Sequence, residues 1–86
     1  MNVVVKKLRK RLDLPQTEFG QLLGVHPMTV SRWERGEHHP TPYQQALMNE
    51  FDKAAAQPKI VEELKTLLVA AGVVAAILLL LKAAQK

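Results

Sequence analysis

The chain has 86 residues, no cysteine and a formal charge of +4, which excludes a disulfide framework and a thiolate metal site and leaves room for one small domain plus an appendage. The charge is uneven: residues 1–36 hold seven basic residues against three acidic ones, so the whole excess lies there and the other fifty residues are neutral. A basic front end is the electrostatic footprint of a polyanion binder.

The spacing of apolar residues predicts a first helix from Val3 to Leu12, with Val4, Val5, Leu8 and Leu12 inward and Lys6, Lys7, Lys10 and Arg11 outward. Only Val3–Val5 precede the charges, so no cleavable signal peptide is expected. A second helix is predicted over Gln16–Leu23, its inward stripe Phe19, Leu22 and Leu23. Gly24 falls where the chain must turn sharply through the left-handed region. Gly20 lies one turn earlier, where a missing side chain lets two backbones approach. A third helix is predicted over Pro27–Arg35: Pro27 suits the first turn, and Val30 and Trp33 point inward.

Gly36–Pro40 reads as a loop. Thr41, Pro42 and Gln44 then supply the cap, the N1 proline and the capping-box glutamine of a fourth helix. Ala46, Leu47 and Phe51 are its expected core face, with Glu50 and Asp52 wet. The helix ends near Ala54–Gln57, and Pro58 starts the next one.

Residues 58–86 form a different kind of sequence. After an amphipathic start, Leu67–Leu81 is fifteen residues without a polar side chain, closed by Lys82. A helix apolar all round must be buried in protein or in lipid. At ~1.5 Å per residue it covers about 22 Å, short of a bilayer core of about 30 Å. Ile60, Leu64, Leu67, Ala71, Val74, Leu78 and Leu81 follow a 4-3-4-3 spacing, the seam of a coiled coil. Gly72 could instead break the tail into two antiparallel helices. The expected division is a helical domain over 1–57 that holds the basic excess and an apolar tail over 58–86, for self-association or, as the alternative, membrane anchoring.

Helix, glycine turn and proline-started second helix over residues 14–36 make the layout of a DNA-binding helix-turn-helix. At Gln16, Gly20, Gly24-Val25, Val30, Trp33 and Glu34-Arg35-Gly36 the chain resembles the Cro and phage-repressor family of helix-turn-helix domains, also called the xenobiotic response element family. The resemblance covers about residues 3–55. It implies an all-α, five-helix, lambda-repressor-like domain; the tail then adds one long helix or a helical hairpin. Two departures stand out. Gly20 replaces the family's usual small Ala, and Pro15 and His26 stand where Ser, Thr or Asn usually cap the helices, so weaker caps are expected.

Arg32 lies one turn into the third helix, opposite Val30 and Trp33, where a guanidinium can grip O6 and N7 of a guanine. Met28, Thr29 and Ser31 share the outward surface near the helix start; the hydroxyls can bond a base edge and Met28 can pack on a thymine methyl. The resemblance places the base-reading positions at Pro27, Met28 and Arg32, although Pro27 has no side-chain hydrogen bond to offer. It also implies that Gln16 holds a phosphate, at a helix start that favours an anion. Thr17, His26, Arg35, His38 and His39 are candidate phosphate neighbours. The resemblance further pairs Arg9 with Glu34 as a structural ion pair, and Trp33 reads as core.

Three histidines without acidic or thiol partners at ligand spacing do not make a metal site. No glycine-rich phosphate loop or nucleophile motif points to an enzyme, and no cofactor is expected. The expected function is a sequence-specific transcriptional regulator, repressor or antitoxin-like. It would bind double-stranded DNA at a palindromic operator as a homodimer or higher oligomer, in the cytoplasm with the nucleoid. A cognate toxin is a conceivable further partner. The alternative is a membrane-anchored helix-turn-helix scaffold that binds a protein.

Overall fold

The computed structural model describes residues 4–85; Met1–Val3 and Lys86 lie outside the described residues, and with them the expected start of the first helix at Val3. The described residues form six helices and no strand: α1 (Val5–Arg11), α2 (Gln16–Leu23), α3 (Pro27–Glu34), α4 (Pro42–Ala55), α5 (Pro58–Ala70) and α6 (Val73–Ala84).

Local chemistry sets most of these limits. Helix α1 stops at Leu12, and Asp13 takes the left-handed conformation (φ 57°) that short polar side chains tolerate. Gly24 closes α2 at φ 69°, the turn glycine that the sequence predicts. Helix α4 opens on a complete capping box: Gln44 N–H donates to Thr41 Oγ1 at 3.1 Å, and Thr41 N–H donates to Gln44 Oε1 at 2.9 Å. Pro27, Pro42 and Pro58 each occupy the first turn of a helix.

One core runs through all six helices. Leu8, Leu12, Phe19, Leu22, Val30, Met48, Phe51, Leu64 and Leu80 are its largest fully buried side chains. Two details of the expected core change. Val4 is exposed, because it is the N-cap of α1 and precedes the inward face. On α4 the core face is Met48, Phe51 and Ala54, with Leu47 part-buried and Ala46 exposed. Residues 47, 51 and 54 lie at i, i+4 and i+7 on one face, and Ala46 falls off that stripe.

The tail is a hairpin. Gly72 has φ 95° and ψ −179°, a conformation open almost only to glycine, and it divides the apolar run between α5 and α6. The single long helix is therefore not formed, and the 4-3-4-3 seam does not run unbroken. Ile60, Leu64 and Leu67 lie on α5, Ala71 is its C-cap, and Val74, Leu78 and Leu81 lie on α6. Helix α6 turns back onto α4, its most extensive partner, and also touches α2. Ala76, Leu80 and Ala83 enter the core there, with Leu64 from α5. The small residues on either side of Leu80 let α6 come close to α4. Part of the apolar run is thus buried within the chain itself, without a second copy or lipid, while Val69, Val74 and Leu78 stay exposed. No helix of the described residues is long and apolar enough to cross a membrane.

One polar link closes the hairpin and another ties it to the front end. Gln57 Nε2 donates to the Ala83 carbonyl at 3.0 Å, and Lys65 Nζ lies 2.9 Å from Asp13 Oδ2.

Candidate nucleic-acid interface

Helices α2 and α3 pack closely through Phe19, Leu22, Leu23, Val30 and Trp33. The turn between them is tight enough to need two glycines for different reasons. Gly24 supplies the left-handed backbone. Gly20 supplies space: a Cβ there would lie 2.7 Å from the Val25 carbonyl oxygen, a contact with main chain that only a backbone shift relieves.

With Val30 and Trp33 turned inward, the other face of α3 is presented outward. Met28 and Arg32 are exposed, and Pro27, Thr29 and Ser31 are half-buried. Arg32 takes part in no ion pair among the described residues. It lines an open recess of about 260 Å³ with Thr29, Trp33, His38, His39 and Gln44. The loop after α3 thus brings both histidines beside Arg32. Gln44 is a recess residue that sequence reasoning missed. Its capping-box signal is so strong that a second role at the same position has no separate signature, and it shares the recess with Arg32 only through the folded loop.

A carboxylate braces the motif from behind. Arg9 Nε donates to Glu34 Oε2 at 2.6 Å and Arg9 Nη2 to Oε1 at 3.1 Å, a two-point pair. Both side chains are largely buried, 14% exposed for Arg9 and 7% for Glu34. Arg9 Nη1 also donates to the Leu14 carbonyl at 3.1 Å, and Gln16 Nε2 donates to Glu34 Oε1 at 3.2 Å. One acid therefore joins α1, the start of α2 and the end of α3. Burial by itself raises the Glu34 carboxyl. The hydrogen bonds from Arg9 and Gln16 and the charges of Arg9 and Lys6 outweigh it, so the group sits below the ordinary glutamate value.

The remaining predicted residues fall around this frame. Gln16 is half-buried and turned toward Glu34, with one amide N–H used there. Thr17 is exposed next to it. Pro15 gives α2 no side-chain cap. His26 does cap α3, its Nδ1 accepting the Met28 N–H. Arg35, His38 and His39 are exposed, and Arg35 Nε lies 3.2 Å from Glu37 Oε2. No group of three metal-ligating side chains occurs among the described residues.

A family model described as helix-turn-helix matches residues 5–43, a span that holds α1, α2, α3 and the opening of α4. Residues 5–43 are thus similar to helix-turn-helix domains of the Cro and repressor type. Comparison with curated proteins and with solved structures returned no match. The helix-turn-helix family is one of DNA-binding regulatory domains, so the match points to a DNA-binding transcription regulator with DNA as its partner. In helix-turn-helix domains generally the recognition helix is the second helix of the motif, to which α3 corresponds.

Proposed function

We propose that the chain is a sequence-specific DNA-binding transcriptional regulator that acts as a symmetric pair on a pseudo-palindromic operator. The observation that carries this reading is the outward face of α3, where Arg32 is exposed and outside every ion pair of the described residues. Arg32 reads a guanine, Thr29 and Ser31 bond neighbouring base edges or phosphates, and Met28 and Pro27 offer apolar contact.

Phosphates hold the helix in register on either side. Gln16 keeps a second amide N–H beside an α2 start that has no side-chain cap. Thr17, His26 and Arg35 flank α3, and His38 and His39 line the recess beside Arg32. Arg9 and Glu34 act structurally, locking α1 and α2 against α3.

Dimensions support a pair. The described residues measure 32 × 26 × 19 Å and present one recognition helix. Successive major grooves on one side of DNA lie about 34 Å apart, so a two-groove site takes two copies. Val69 (90% exposed), Val74 and Leu78, with part-buried Leu81, leave an apolar outer surface on the hairpin that a second copy covers. Occupation of an operator by such a pair blocks other proteins from the same DNA, so repression is the output proposed.

Arg32→Ala tests the reading. It is expected to weaken binding by about 1–3 kcal/mol and to relax preference at one base pair of the operator. A titration against duplexes carrying each of the four bases at each position decides it; unchanged selectivity would remove Arg32 from base reading.

A further inference from the structure

We propose that His26 is a positioning residue for the recognition helix, and that it holds α3 ready for base reading only in its neutral form with the proton on Nε2. This rests on α3 being the DNA-reading helix. The geometry is specific. His26 is the N-cap of α3, with extended backbone (φ −69°, ψ 147°), and its Nδ1 accepts the Met28 N–H at 3.0 Å. Pro27 has no N–H, and the Thr29 N–H already donates to the His26 carbonyl at 2.9 Å. The Met28 N–H is therefore the one donor of the first turn that needs a side chain, and the imidazole supplies it.

An accepting Nδ1 carries a lone pair, which leaves Nε2 as the protonated nitrogen of a neutral ring. Acid adds its proton at Nδ1. Two N–H donors then face each other at the cap, and a cation stands at the positive end of a helix, where the dipole disfavours it. Both effects loosen the same turn, which carries Pro27, Met28 and Thr29. The usual capping residues, Ser, Thr, Asn and Asp, keep their acceptor at these pH values; a histidine cap does not.

No ion pair of the described residues includes His26. The ionisable residues on the two helices that it joins are Glu18 on α2 and Arg32 and Glu34 on α3, and Glu34 is held by Arg9 and Gln16. Lys82 is the charged residue of α6, which packs on α2. Helix α1, which also packs on α3, carries Lys6, Lys7, Arg9, Lys10 and Arg11. His38 and His39 follow α3, and any charge on them or on the exposed His26 attracts every duplex alike. A ratio of affinities for two duplexes cancels that general attraction and keeps the effect of the cap.

The experiment compares the full chain with its His26→Asn and His26→Ala variants, each titrated with a duplex selected from a random pool and with a scrambled duplex of equal length. Histidine changes charge between about pH 5 and 8, so titrations near each end of that range are compared. An N-cap is worth about 1 kcal/mol, so the unsubstituted protein is expected to lose about fivefold in its selected-to-scrambled ratio on going to acid. His26→Asn caps without titrating and should hold its ratio; His26→Ala should show the lowered ratio at both ends. A ratio that falls equally in the unsubstituted protein and in His26→Asn, or in neither, overturns the proposal. The Met28 amide, followed by NMR in the free protein, reads the cap without DNA. It should lose protection in acid in the unsubstituted chain and keep it in His26→Asn; equal behaviour in the two also overturns the proposal. A chain that discriminates no duplex at any pH, yet shows this Met28 response, refutes the DNA-reading function while the cap stands.

Discussion

The Glu34 carboxylate takes hydrogen bonds from Arg9 and from Gln16 at the C-terminal end of α3, a place where the helix dipole disfavours an acid. Its partners offset that cost, and removing one of them leaves a charge stranded. Arg9→Ala and Glu34→Ala are each expected to cost about 3 kcal/mol, the low end for a buried pair because some solvent reaches both groups. Thermal melts should show both variants melting well below the unsubstituted protein. The sign of the pH effect follows from the depressed carboxyl. Its stabilisation is complete above the ordinary glutamate range and is lost as the pH falls through the lower folded value. Glu34→Gln should flatten that acid-side loss in a melt series. Gly20→Ala belongs to the same scale: its Cβ meets main chain at 2.7 Å, so destabilisation of about 1–3 kcal/mol is expected although helix propensity favours alanine. The pairing of Arg9 with Glu34 follows from the family resemblance. The Gln16 bond to the same acid does not, because it depends on how α2 sits against α3 and has no spacing signature of its own.

Helices α2, α3 and α4 are legible at the level of elements because each carries its own punctuation: Gly24 after α2, Pro27 at the start of α3, and Thr41, Pro42 and Gln44 at the start of α4. The tail lacks such signals across Leu67–Leu81. Where every side chain is apolar, periodicity cannot say which side faces the core, and the choice falls to tertiary packing. Gly72 is the one mark in the run, and it permits a break without requiring one. The structure uses it, and α6 lies on α4. Gly72→Ala should therefore cost about 1–3 kcal/mol through backbone strain alone, since nothing lies within 4 Å of the added Cβ. Leu80→Ala should cost about 2–5 kcal/mol, because its side chain is fully buried between helices. Deletion after Ala56 removes Leu64, Ala76, Leu80 and Ala83 from the core, so the truncated chain should lose its cooperative melt rather than remain a folded monomer. A truncated chain that melts like the full one would show that the hairpin is dispensable to the core.

For the whole molecule, the distribution of charge and of apolar surface belongs to two different tasks. The basic excess lies in residues 1–36, with five of the seven cations on α1 and the other two on α3 and its C-cap, and in the proposed function it supplies attraction to DNA that weakens with salt. The exposed apolar residues of the hairpin lie at Val69, Val74 and Leu78, and in the proposed dimer pairing through them would join two recognition helices on one site. Sedimentation without detergent should show a dimer, and Leu78→Glu should shift it toward monomer while leaving the melt of the individual fold largely intact, because Leu78 is mostly exposed. The central claim is that the outward face of α3 reads base sequence, and one titration tests it most directly: the affinity of the full chain for a duplex selected from a random pool against that for a scrambled duplex, across a range of salt. Both affinities should fall as salt rises while the selected duplex stays tighter by about a thousandfold or more. Equal affinity for the two duplexes at every salt concentration would contradict it.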